Sequence, residues 1–132
     1  MTRELDLNNP MGLKQSNDKF QGETHPSSDS VFKEFVTMVE GVRAGAKVLL
    51  TYFGTHNLTT VRGIITRWAP GIENDTASYI SDVCGRMHVT PDEDLDLTIP
   101  DVLEDLVAAI VHHENGVSLD EVLLSQGVLL AL

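Results

Sequence analysis

Apolar residues are sparse up to residue 30 and dense beyond it. The first thirty residues are rich in Asn, Ser, Gly, Pro and Asp, which favour turns and extended loops. Leu5, Leu7, Met11, Leu13 and Phe20 can still pin this stretch to a core, so residues 1–30 read as an irregular arm with room for a short hairpin. From residue 31 the pattern turns helical. Val39, Val42, Ala46, Leu49, Leu50 and Phe53 form one stripe at three-and-four spacing over about 38–53, closed by Gly54. Thr59 or Thr60 can cap a second helix, with Val61, Ile64, Ile65 and Trp68 on one face and Pro70-Gly71 as its stop. Asn74 or Asp75 can cap a third helix carrying Tyr79, Ile80, Val83 and Met87 inward, with Cys84 beside them. Thr98-Ile99-Pro100-Asp101 predicts a fourth, with Thr98 as cap, Leu103, Leu106, Val107 and Ile110 inward, and Asn115-Gly116 as the stop. Ser118 or Asp120 opens a last short helix holding Val122, Leu123 and Leu124. The expected fold is mainly α: one domain of about five helices over 31–132, covered by the arm.

The chain of 132 residues is long enough to bury a core without disulfides or metals. Nine Lys or Arg against twenty Asp or Glu give a net charge of −11, which argues against nucleic acid and anionic lipid as partners. A single cysteine, Cys84, excludes a disulfide framework and a Cys-based zinc site, and its apolar helical position marks it as core. No apolar run approaches the roughly 20 residues that span a bilayer, so no membrane insertion is expected. Residues 1–10 lack the apolar core of a signal peptide. This predicts synthesis in the cytoplasm and, for action elsewhere, delivery by a route other than general secretion.

His112-His113-Glu114-Asn115-Gly116 is the string richest in chemistry. Glu114 falls in the last turn of a helix, where the negative end of the macrodipole disfavours an ionised carboxylate. Partial burial would act the same way and leave an acid suited to proton donation, as in the lysozyme glutamic acid that is a standard instance of such tuning. The plainer alternative is a solvated helix end. A metal site is not expected, because adjacent histidines point to different faces. Asp92-Glu93-Asp94-Leu95-Asp96 resembles a calcium loop only superficially: Leu97 and Leu103 stand where such a loop needs Gly and Glu. No cofactor motif is present. Trp68 can be core or an aromatic wall for a sugar ring, and Tyr79 offers a ring and a hydroxyl.

Five segments occur in a telling order: Asn8-Asn9-Pro10-Met11-Gly12-Leu13-Lys14, Gly41-Val42-Arg43-Ala44, Thr60 through Pro70, Glu73 through Ile80, and His113-Glu114-Asn115-Gly116. The series resembles a family of small phage and prophage proteins similar to the lytic enzyme of the enveloped double-stranded-RNA phages. Members usually read Asn-Asn-Pro-Gly-Asn at the start, where this chain has Met11-Gly12 after the proline. The chain is also similar to lytic transglycosylases and goose-type lysozymes. Residues 42–53 look like their Gly-containing helix and Glu73 to Ile80 like their E-T-R-x-Y-V segment, with the Glu-bearing helix moved to the chain's end as by circular permutation.

That resemblance implies a lysozyme-like fold and cleavage of peptidoglycan between N-acetylmuramic acid and N-acetylglucosamine. It gives Glu114 the role of catalytic acid and Tyr79 that of the cleft tyrosine. Trp68, Asn8, Asn9, Glu73 and His113 are the other substrate-binding candidates, and Glu73, Asp75 or Glu23 could supply a second carboxylate. The implied partners are glycan strands, with a delivery particle or an immunity protein beside them, and the implied place of action is the periplasm or cell wall. The charge of −11 keeps open an alternative from another class: a non-enzymatic acidic phage protein, either a virion component or an inhibitor of a host defence protein using the acids of 92–105.

Overall fold

The computed structural model describes residues 2–71 and 73–132, with backbone alone at 73 and 74. Among the described residues six helices form: α1 (Arg3–Asp6), α2 (Met38–Gly54), α3 (Val61–Trp68), α4 (Glu73–Met87), α5 (Pro100–Asn115) and α6 (Glu121–Ala131). The protein is mainly α, and among the described residues only two isolated bridges, Lys14 with Phe32 and Glu23 with Phe35, interrupt that pattern. The sixth helix, beyond the five expected, is α1. Thr2 caps it by accepting from the Leu5 amide at 3.2 Å.

Local capping explains where most helices begin. Thr37 accepts from the Glu40 amide at 3.2 Å and donates to its carboxylate at 3.0 Å, starting α2 at Met38. Residues 31–37, expected to be helical, instead run extended along the arm. Lys33 N–H donates to Leu13 and Phe35 N–H to Leu7, at 2.9 and 3.0 Å, so the arm has already claimed their backbone groups. Thr60 caps α3 through the Gly63 amide at 3.1 Å. Asp120 caps α6 by accepting from Val122 and Leu123.

Two expected caps are displaced. Asn74 and Asp75 lie inside α4, which begins at Glu73. Ile99 occupies the cap position of α5 without a side-chain bond, because Thr98 donates its hydroxyl to Asp96 at 2.6 Å. Gly116 ends α5 as expected, at φ 71, where a side chain would be strained. Val122 is exposed rather than inward; Leu124, Val128 and Ala131 carry the buried face of α6.

Helix α2 is the axis of the packing. Val42, Ala46 and Leu49 face the core, and α6 presses so closely that a Cβ on Gly127 would stand 2.5 Å from Val42 Cγ1. On another face, Gly41 and Gly45 admit the arm: a Cβ there would meet Asn8 O at 1.9 Å and Met11 Sδ at 2.1 Å. Helix α5 buries Leu103, Leu106, Val107 and Ile110 against a core that includes Tyr79, Ile80 and Val83 of α4. Close packing of this kind fixes backbone positions to well under a side chain's width, which is what a site assembled from three segments requires.

Candidate active site

Three segments meet at the C-terminal end of α5. Helix α4 presents Tyr79 and Asp82, three residues apart and hence on one face. The last turn of α5 supplies His113, Glu114 and Asn115. The arm contributes Glu4 from α1 and Gly12 from the following loop.

Asn115 ties these pieces together. It is buried and receives the Thr2 hydroxyl at 2.5 Å, while its own amide donates to Pro10 O at 2.7 Å and Val111 O at 3.0 Å. One side chain therefore fixes both the cap of α1 and the Pro10 loop onto the end of α5. Asn9 shapes that loop, donating to Leu13 O and Lys33 O and accepting from the Leu13 amide at 2.9 Å.

This clamp puts two carboxyl groups face to face. Glu4 is buried, and its carboxyl adjoins that of Glu114 at the space left open by Gly12. Burial is the largest cause pushing the Glu4 carboxyl up to about 9, followed by the hydrogen bond to Glu114 and that group's charge. Two carboxylates in contact in a poorly solvated site cannot both ionise near neutral pH, so the pair keeps one proton. Tyr79 donates its hydroxyl to Glu114 Oε2 at 2.8 Å. Burial, and then the Glu114 charge and hydrogen bond, push that phenol far up, so it stays a donor at any physiological pH.

Gly12 makes room for the pair. Its φ is +69, and a Cβ there would lie 2.0 Å from Glu4 Oε1 and 2.9 Å from Glu114 Oε1. Gly12→Ala is accordingly expected to part the carboxyls and to destabilise the fold by about 1–3 kcal/mol through left-handed strain. A lowered urea midpoint together with a lowered Glu4 pKa would show both effects.

A second polar unit adjoins the first. The His113 ring lies 3.8 Å from the Tyr79 ring centroid, tilted by 30°. Its Nδ1 is 2.8 Å from Asp82 Oδ2, and Asp82 also pairs with Arg86 at 3.1 Å. Burial pushes the Asp82 carboxyl up, but the bond to His113 and the charge of Arg86 prevail and hold it below its ordinary range.

Glu114, Tyr79 and His113 open onto a groove of about 760 Å³ that Trp68, Tyr52 and Asp75 also line. Trp68 is half-buried and meets Tyr52 edge-on, with ring centroids 6.2 Å apart. Five of the residues singled out in the sequence thus come together: Glu114, Tyr79, Trp68, His113 and Asp75. Asn8 and Asn9 do not line the groove. Their amides are engaged by backbone carbonyls, Asn8 with Phe35 and Val36, so they build the arm that carries Gly12. The side chain of Glu73 lies outside the described residues. Glu23 is remote, paired with buried Lys33 at 3.1 Å.

Glu4, Asp82, Asn115 and Gly12 are the residues that sequence reasoning passed over as functional. Asp82 could have been found from its one-turn spacing to Tyr79. Glu4 sat in a stretch read as an irregular arm, and only Leu5, Leu7 and Met11 near it hinted at burial.

No protein-family model matches the chain. Protein P5 of Pseudoalteromonas phage PM2 is 40% identical to it, over 86% of this chain and 71% of the relative. The chain belongs to the P5 family. Its kinship with a phage protein bears out the phage part of the resemblance drawn from the motif series. Within this P5-family chain, the Glu4–Glu114 pair at the edge of an aromatic-walled groove is the arrangement best suited to chemistry.

Proposed function

We propose that this P5-family protein cleaves the glycosidic bond between N-acetylmuramic acid and N-acetylglucosamine in peptidoglycan, with its helical core serving as a lysozyme-like scaffold. The observation that carries this reading is the adjoining Glu4 and Glu114 carboxyls at a groove lined by Trp68 and Tyr52. Aromatic faces suit the apolar faces of sugar rings, and a retained proton at neutral pH is what a glycosidic oxygen needs to leave.

Glu114 lines the groove and is the group that touches substrate, while buried Glu4 keeps the pair supplied with its proton. Glu114 protonates the bridging oxygen as the muramoyl C1 takes on oxocarbenium character. The resulting carboxylate, steadied by the Tyr79 hydroxyl, then accepts the proton of the muramoyl 6-hydroxyl as that oxygen closes on C1. Atoms balance without water, and the product carries a 1,6-anhydro end.

Intramolecular closure needs no second carboxylate across the substrate. Hydrolysis with two opposed carboxylates separates them by about 5–10 Å, whereas Glu4 and Glu114 adjoin at Gly12 and act as one group. In this reading the protein reaches the wall or periplasm carried by a phage particle. The inhibitor reading has less support, since Asp92, Asp94 and Asp96 are bonded to Arg62, Thr59 and Thr98 within the fold.

Mass spectrometry of purified peptidoglycan after digestion tests the proposal. Fragments ending in anhydro-muramic acid are the expected outcome. Reducing muramoyl ends would replace closure by hydrolysis, and intact strands would refute glycosidic cleavage altogether.

A further inference from the structure

Nine cations serve a chain with twenty acids, yet they are not evenly neutralised. Arg3, Lys33, Arg62 and Arg86 pair with Asp29, Glu23, Asp92 and Asp82. The other five, Lys14, Lys19, Arg43, Lys47 and Arg67, form no ion pair with a described acidic residue. All five line one groove of about 770 Å³, in which Asp18 is the only acid among the described residues.

This cationic groove adjoins the one that holds Glu114. The two share Leu13, Lys14, Val48, Tyr52 and Arg67 as walls. Arg67 stands over the Tyr52 ring at 5.1 Å from its centroid, between the two spaces. Arg43 and Lys47 are half-buried and one turn apart on α2, an arrangement of like charges that weakens a helix unless an anion relieves it. None of the acids of 92–105 lines either groove. The strongly negative molecule therefore keeps one positive strip, and that strip starts beside the carboxyl pair.

We propose that this strip binds the free carboxylates of the peptide stems, so that the substrate is peptide-bearing glycan and not the bare sugar strand. The inference rests on the glycosidase reading for the bond that is cut. It stands apart from it in what is bound: the reacting bond lies over Glu114, and the stem extends past Tyr52 and Arg67 toward Arg43 and Lys47. Field focusing in a cleft with low-dielectric walls makes such a strip effective even in a molecule of charge −11.

The test compares intact peptidoglycan strands with the same strands stripped of stems by an amidase. The parent is expected to favour stem-bearing strands roughly tenfold in kcat/KM, the effect of a few exposed ion pairs. This preference is expected to shrink as salt rises and to fall close to one in Arg43→Gln/Lys47→Gln, chiefly through KM. Equal kcat/KM on both strands, or a preference that the double variant keeps, would overturn the inference. If no strand is cut, the glycosidase reading fails and a binding titration decides the groove separately. Tighter binding of stem-bearing strands then supports it, while equal binding of bare strands, or of single-stranded DNA, overturns it.

Discussion

Replacing Glu114 by Gln lowers peptidoglycan cleavage by roughly 10²–10⁴-fold, the usual contribution of a positioned general acid. The side chain keeps its size and can still accept from Tyr79, now at 2.8 Å from Oε2, so the fold should survive the change. It should in fact gain stability toward alkaline pH. Glu4 would no longer face a second carboxyl, and only its burial would still disfavour its charge. Loss of activity with an unchanged or raised unfolding midpoint is the expected combination. A variant that clears cell walls as fast as the parent would remove Glu114 from the mechanism.

Glu4→Gln has the second largest expected effect, and it separates the buried partner from the group that touches substrate. The amide can still donate to Glu114 but carries no transferable proton. The rate is expected to fall about 100-fold, at the lower end for loss of a proton-transfer group. The alkaline limb of the pH–rate profile should also move to lower pH, because the remaining carboxyl has no like charge against it.

Stability responds in the same window. A carboxyl held at about 9 when folded, against an ordinary value near 4.5, keeps its proton in the native state after the unfolded chain has released it. Native stability in the parent therefore declines as pH rises from about 4.5 to 9, by at most about 1.4 kcal/mol per pH unit for one proton. Glu4→Gln should flatten that decline. Denaturant unfolding at pH 5 and pH 8.5 checks it: a parent as stable at the higher pH as at the lower, with the variant behaving identically, would contradict the shared proton.

The helices were legible because their signals are local. Apolar spacing and a Thr or Asp at the first turn place α2, α3 and α6, and Pro100 and Gly116 bracket α5. Glu114, Tyr79, Trp68 and His113 could be named because each sits at a definite point of a periodic helix. The arm was not legible in the same way. Its path depends on bonds such as Thr2 to Asn115, 113 residues apart, and on the empty Cβ positions of Gly41 and Gly45 that let Asn8 and Met11 approach. No local pattern announces that Glu4 is buried against Glu114. The net charge is silent on the groove for a related reason: it sums over the surface and hides the five cations gathered there.

At neutral pH Glu4 and Glu114 are expected to act as one acid holding a single proton. Carboxyl-carbon NMR of selectively labelled glutamate, followed across pH in the parent and in Glu114→Gln, reads this without any substrate. A Glu4 resonance titrating near 9 in the parent and distinctly lower in the variant is the expected result. A Glu4 carboxyl that titrates near 4.5 in the parent and does not move in the variant would contradict it.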